Sequence, residues 1–217
     1  MHRTITTALI VLALTFTAGC ASTSVETGYD TQAGDMDPFL DGSDRKPTAK
    51  TLYRMARLLI VQDKDEQAAF VLTRLMSEYP TFIPAYIELA EVNMRQRRVD
   101  EAMDVLASGL VVAPGHAPLM NNLGMCAMIK SDYNAALDHF TQASAAEPDD
   151  ARYRANMAAA LGMLGRYDES LAIYEMIVTR GKAHYNVAVL AEARNDTERA
   201  RQAHFDARRY GYDPDKL

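Results

Sequence analysis

A chain of 217 residues, 48% hydrophobic and 24% charged, is long enough for one globular domain with extensions. Its net charge of −6 excludes the basic surface of a nucleic-acid binder. Two cysteines in unlike contexts, Cys20 and Cys126, suggest neither a disulfide framework nor a zinc site, and the absence of tryptophan beside abundant alanine and methionine favours helices.

The N-terminus opens with a short basic stretch, Met1-His2-Arg3, followed by Ala8 to Phe16, apolar except for Thr15 and too short for a permanent membrane span. It ends in Thr17-Ala18-Gly19-Cys20, which resembles the lipobox of bacterial lipoproteins, with Thr17 in place of the commoner leucine. The resemblance implies a signal peptide over 1–19 and lipidation of Cys20, whose thiol is diacylated and whose new amine is acylated. The alternative is an ordinary secretory signal cut near Ala18 or Ala21. Ala21 stands where an aspartate would signal inner-membrane retention. The implied location is therefore the periplasmic face of the outer membrane, with attachment through the lipid.

Residues 20–47 hold the candidate lipidated cysteine, then Ser, Thr, Gly, Pro38 and Pro47, with six acidic residues between Glu26 and Asp44. Sparse apolar residues without a period predict a disordered tether. Met36, Phe39 and Leu40 offer an alternative reading as a small docking motif.

Over 48–214 a 34-residue period takes over. The units 49–82, 83–116 and 117–150 align without gaps; 151–180 is four residues short, and 181–214 completes the set. The eighth position holds Ala56, Ala90, Gly124, Ala158 and Ala188, and the twentieth Ala68, Ala102, Ala136, Ser170 and Ala200. Small residues at both predict two helices per unit in closest approach there. The seventh position, with Met55, Leu89, Leu123, Met157 and Val187, is predicted to fill the core beside that contact. In the third unit Ser131-Asp132 is placed to cap the second helix, and Pro148 to stop it.

This pattern resembles the tetratricopeptide repeat, best in the third unit through Leu123, Gly124, Tyr133, Ala136, Phe140, Ala143 and Pro148. The resemblance implies an all-α, right-handed solenoid of about five helix hairpins. It also implies a concave groove lined by the first helix of each hairpin. Carried over, the groove comprises Tyr53, Arg57, Ile60, Ile87, Glu91, Met94, Asn121, Asn122, Met125, Met128, Ile129, Asn156, Met163, Asn186 and Val189. Asn122, Asn156 and Asn186 recur at the sixth position, where an amide can bond a peptide backbone or simply the scaffold. Met94, Met125, Met128 and Met163 predict an adaptable apolar surface, with core packing the stronger alternative for Met163 than for Met128. The clamp that some such domains use for C-terminal carboxylates is not matched, because its places read Asn121, Met125, Asn156, Lys182 and Asn186.

No metalloprotease, nucleophile-elbow or phosphate-loop motif is present. His116 is expected in a loop, His139 on an outward face, and His184 and His204 in core-type positions. No carboxylate or cysteine stands at ligand spacing from them. Cys126 is expected as a buried packing residue. The chain therefore reads as a non-enzyme without metal, cofactor, nucleic acid or small-molecule substrate. The last helix carries Arg199, Arg201, Arg208 and Arg209, expected as a solvated cap.

Lipobox, acidic tether and repeats together resemble the TadD lipoproteins of tight-adherence (Flp pilus) assembly and the pilotins of related machines. The stretches NNLGMCAMIKSDYNAAL, RANMAAALGMLGRYDES and AHYNVAVLAEARND carry that likeness. By implication the partner is a secretin or another pilus-assembly component. An adaptor for peptidoglycan hydrolases or synthases is the rival, and a subunit of a soluble periplasmic enzyme the alternative of another class.

Overall fold

The structure is a computed structural model that describes residues 46–214, of which those from Pro47 onward form one compact unit. The expectations for the signal peptide, Cys20, the tether and Met36, Phe39 and Leu40 lie outside the described residues. Ten helices follow in order: α1 (Ala49–Val61), α2 (Asp65–Glu78), α3 (Ile83–Arg95), α4 (Val99–Val112), α5 (Ala117–Ile129), α6 (Tyr133–Ala146), α7 (Ala151–Met163), α8 (Tyr167–Glu175), α9 (Arg180–Ala193) and α10 (Thr197–Arg209). They pair as five antiparallel hairpins, and each even-numbered helix packs on the next odd-numbered one. Odd helices also approach each other (α3 with α5, α7 with α9) and so form the inner, concave layer. The fold is the expected all-α solenoid. Among the described residues no helix is long and apolar enough to cross a membrane.

One turn geometry recurs within every hairpin. Asp63, Arg97, Ser131, Gly165 and Asn195 all adopt positive φ, between 55° and 81°. The amide two residues after each odd helix's cap then bonds back five residues: Lys64 to Leu59, Arg98 to Asn93, Asp132 to Ala127, Arg166 to Leu161 and Asn195's successor Asp196 to Ala191, all at 2.8–2.9 Å. These are Schellman closures, which satisfy carbonyls the helix end would otherwise leave unpaired. The Asp132 carboxylate then accepts from the Ala135 amide at 3.1 Å, capping α6, and the helix stops at Ala146, two residues before Pro148.

Small residues set the spacing inside each hairpin. The four alanines and Gly124 at the eighth position are buried, as are all five residues at the twentieth. A Cβ on Gly124 would stand 2.5 Å from the Phe140 ring, so only glycine admits that ring. Ser170, the polar exception, donates its hydroxyl to the Ala158 carbonyl at 2.7 Å and so loses nothing by burial. Along the turn edge, ion pairs clip successive hairpins: Arg95 with Asp65 at 2.5 Å, Lys130 with Asp100 at 2.6 Å, Arg199 with Asp168 at 2.6 Å. Being largely solvent-facing, these pairs fix register between hairpins more than they add stability.

One core expectation fails. Leu89, Leu123 and Val187 are buried and Met157 half-buried, but Met55 is 52% exposed. Inside the array that position is covered by the preceding hairpin, and no described helix precedes α1.

Candidate functional site: the concave face

The inner layer carries a continuous run of polar contacts from α1 to α7. The Tyr53 hydroxyl donates to Glu88 Oε1 at 2.9 Å, while Arg57 Nε lies 3.6 Å from the same oxygen. Burial, with Glu88 as acceptor, pushes the Tyr53 phenol up to about 12. On the next turn of α3, Glu91 accepts from Asn122 Nδ2 at 3.5 Å. Asn121 Nδ2 donates to Asn122 Oδ1 at 3.3 Å, and Asn156 Nδ2 donates to Asn121 Oδ1 at 2.7 Å. Desolvation and the like charge of Glu88 raise the Glu91 carboxyl above the usual range.

The amides therefore bond to one another, as the scaffold alternative anticipates, rather than standing free as a ladder. Asn186 is the exception: its Nδ2 is buried with no hydrogen-bond partner. A buried donor left unpaired costs about 1–3 kcal/mol.

The apolar lining also divides by position. Met125 (39% exposed) and Ile129 (46%), four residues apart on α5, face the groove. Ile60, Met94 and Met128, at the twelfth position of their units, pack against the core: Ile60 on the Leu52–Leu72 cluster, Met94 on the Tyr86–Leu106 cluster, Met128 beside Ala136 and Phe140. Met128 thus packs on the core as Met94 does, although it is expected from the sequence to do so less than Met163. The twelfth position points between the two helices of a hairpin, so Met128 meets Phe140 there. Met163 and Val189 are half-buried, and Ile87 packs against the same cluster as Met94.

Glu88 escaped the sequence reading although it organises both Tyr53 and Arg57. The signal was available, because Glu88 occupies the same sixth position as Asn122, Asn156 and Asn186.

Cys126 is fully buried, and desolvation pushes its thiol up to about 11, which removes the thiolate a nucleophile needs. The histidines need one correction. Glu192 Oε1 lies 2.7 Å from His204 Nε2, a pairing between the two helices of the last hairpin that linear spacing concealed. Among the described residues no group of three His, Cys, Asp or Glu side chains is placed to hold a metal ion.

Fold and groove together define the class, a tetratricopeptide-repeat solenoid. Profiles described as tetratricopeptide repeat match residues 50–81 and 127–183. Tetratricopeptide repeat protein 16 of Mus musculus is 25% identical over 175 residues, which is 77% of this chain but only 23% of that protein. The crystal structure of YrrB, a tetratricopeptide protein with an unusual peptide-binding site, superposes with a TM-score of 0.60 at 20% identity, covering 77% of this chain and 88% of that one. A crystal structure of MamA protein does so at 0.60 and 14% identity, covering 75% and 91%. At these identities the two structures support the fold alone.

Proposed function

We propose that this protein is a non-catalytic adaptor which binds a segment of another protein along its concave face. The observation that carries the reading is the juxtaposition, on one inner surface, of the solvent-facing pair Met125 and Ile129 with the amides of Asn121, Asn122, Asn156 and Asn186. Thioether and branched aliphatic side chains take an apolar residue of the partner; amides take its backbone. The peptide-binding site named for YrrB is consistent with such a use of this fold.

The finer reading places the adaptor at the periplasmic face of the outer membrane, anchored through Cys20, and serving a secretin or another component of Flp or type IV-like pilus assembly. Its support is the lipobox, the acidic segment and the likeness to TadD lipoproteins. Copurification from detergent-solubilised envelopes, comparing the native protein with Met125→Glu, tests it. A secretin or pilus component that the variant loses is the expected result. A peptidoglycan hydrolase or synthase lost in the same way would keep the groove and overturn the pilus assignment. Partners retained equally by both proteins would overturn the groove. Fractionation of Cys20→Ala tests the anchor separately, since unchanged outer-membrane association would remove it.

A further inference from the structure

Taken helix by helix, the concave face changes chemistry along its length. On every odd helix the second, sixth, ninth and thirteenth residues of the unit fall on one strip, within about 60° around the axis at 3.6 residues per turn. On α5 that strip holds Asn122, Met125 and Ile129; on α1 it holds Lys50, Arg54, Arg57 and Val61, all exposed. Arg57 fixes its direction, because Nε lies 3.6 Å from Glu88 Oε1 on the next inner helix. Lys50, two turns before Arg57, shares the strip. Arg54 holds the position that Glu88, Asn122, Asn156 and Asn186 hold on the later helices.

Three kinds of surface follow one another along these strips. On α1 the side chains of Lys50 and Arg54 make no ion pair or hydrogen bond among the described residues. On α3, Glu88 is engaged by Tyr53 and Arg57, and Arg95 is committed to Asp65 at 2.5 Å. Glu91 on the same helix is exposed and has no cation at ion-pair distance; it accepts only from Asn122, at 3.5 Å. From α5 onward the ninth and thirteenth residues carry no charge: Met125 and Ile129, Ala159 and Met163, Val189 and Ala193. The groove thus runs from cationic through anionic to apolar.

We propose that the groove takes its partner segment in one register: an acidic side chain at Lys50 and Arg54, a basic one at Glu91 and an apolar one at Met125 and Ile129. The inference rests on the adaptor reading and specifies the segment that the adaptor binds. Packed helices lie about 8–10 Å apart. A polyproline II segment advances about 9 Å per three-residue turn and returns every third side chain to the same side. The partner's motif is therefore acidic, basic, apolar at intervals of three. A wholly apolar segment would leave the α1 cations unmet, and one with its charges exchanged would oppose like to like at both α1 and α3.

The test uses the full chain and a fluorescein-labelled peptide with glutamate, lysine and leucine at intervals of three on an alanine–proline background. Its reversed sequence is measured alongside, which covers both chain directions. Fluorescence anisotropy should show binding by one of the two. Exchanging that peptide's glutamate and lysine should weaken binding about threefold to tenfold, and so should Arg54→Glu. The Arg54→Glu protein should regain affinity for a peptide with lysine in place of the glutamate, a rescue that a folding defect would not give. Glu91→Lys should likewise favour glutamate in place of the peptide's lysine. A peptide with serine at both charged places should bind more weakly and still be lost with Met125→Glu, which reports on the adaptor reading alone. Equal affinity for the original, exchanged and serine peptides would overturn the register and leave that reading standing. No binding in either direction would also overturn the proposal. So would a dimer that Arg54→Glu dissolves, or tighter binding after Phe39→Ser, which would assign the groove to a second copy or to this chain's own N-terminal segment.

Discussion

Asn156 on α7 donates its side-chain amide to Asn121 Oδ1 on α5, 35 residues earlier, at 2.7 Å. The bond crosses from one hairpin to the next on the concave surface, so the contact that joins the repeats also lines the groove. Removing it therefore acts on stability and on recognition together. Asn156→Ala should lower unfolding free energy by about 1 kcal/mol, the ordinary net worth of such a bond. A cycle with Asn121→Ala, measured by urea unfolding, should show coupling; strict additivity would mean that the two amides do not support each other.

Gly124 and Phe140 meet across the third hairpin, where a Cβ on residue 124 would lie 2.5 Å from the ring. Gly124→Ala should destabilise by about 1–3 kcal/mol, the cost of forcing a methyl into a filled core, despite alanine's better helix propensity. Adding Phe140→Leu should recover part of that loss. A Gly124→Ala protein at least as stable as the native one would show that the ring yields freely.

The left-handed turn residues lead to the opposite expectation. Ser131, at φ 60°, lies where Gly165 serves in the next hairpin. Ser131→Gly should raise stability by about 0.5–1 kcal/mol by relieving the Cβ clash, measured as a higher urea midpoint at unchanged slope.

A pH effect follows from His184, which stacks on Tyr210 at a ring separation of 5.2 Å. Burial depresses its pKa below the ordinary 6.5, against the smaller opposing influence of Asp206 and Glu175, while Arg180 and Arg199 reinforce the depression. The neutral ring is the form the fold accepts. Its contribution is complete above pH 6.5 and is lost as pH falls from there through the lower native value. His184→Gln should flatten the stability profile just below pH 6.5. Carboxylates held low by arginines, such as Asp65 beside Arg95, govern the steeper loss at lower pH. An unchanged slope in the variant would exclude the histidine as its source.

The solenoid was legible in the sequence because close approach between helices demands small side chains, and Ala56, Ala68, Gly124 and Ala136 report that demand at fixed spacing. Interior repeats share one environment, so one rule reads them all. Three things were not legible. Met55 obeys the apolar pattern but sits at an end, where exposure depends on a neighbour rather than on the residue itself. Met128 and Met125 differ by three positions, less than one turn, and only the placement of Phe140 decides which of them is spent on the core. Side-chain pairings between helices, Glu88 with Tyr53 or Glu192 with His204, likewise depend on register that a linear pattern does not contain.

The concave face as the adaptor's working surface is tested most directly by site-specific photo-crosslinking in intact cells. One probe replaces Met125 on α5, and a control probe replaces Gln142, exposed on the outer helix α6. The account predicts that Met125 captures a discrete protein, that Gln142 does not, and that Asn156→Ala diminishes the capture. Capture of that protein from Gln142 with none from Met125 would place the binding surface on the outer helices and contradict the account.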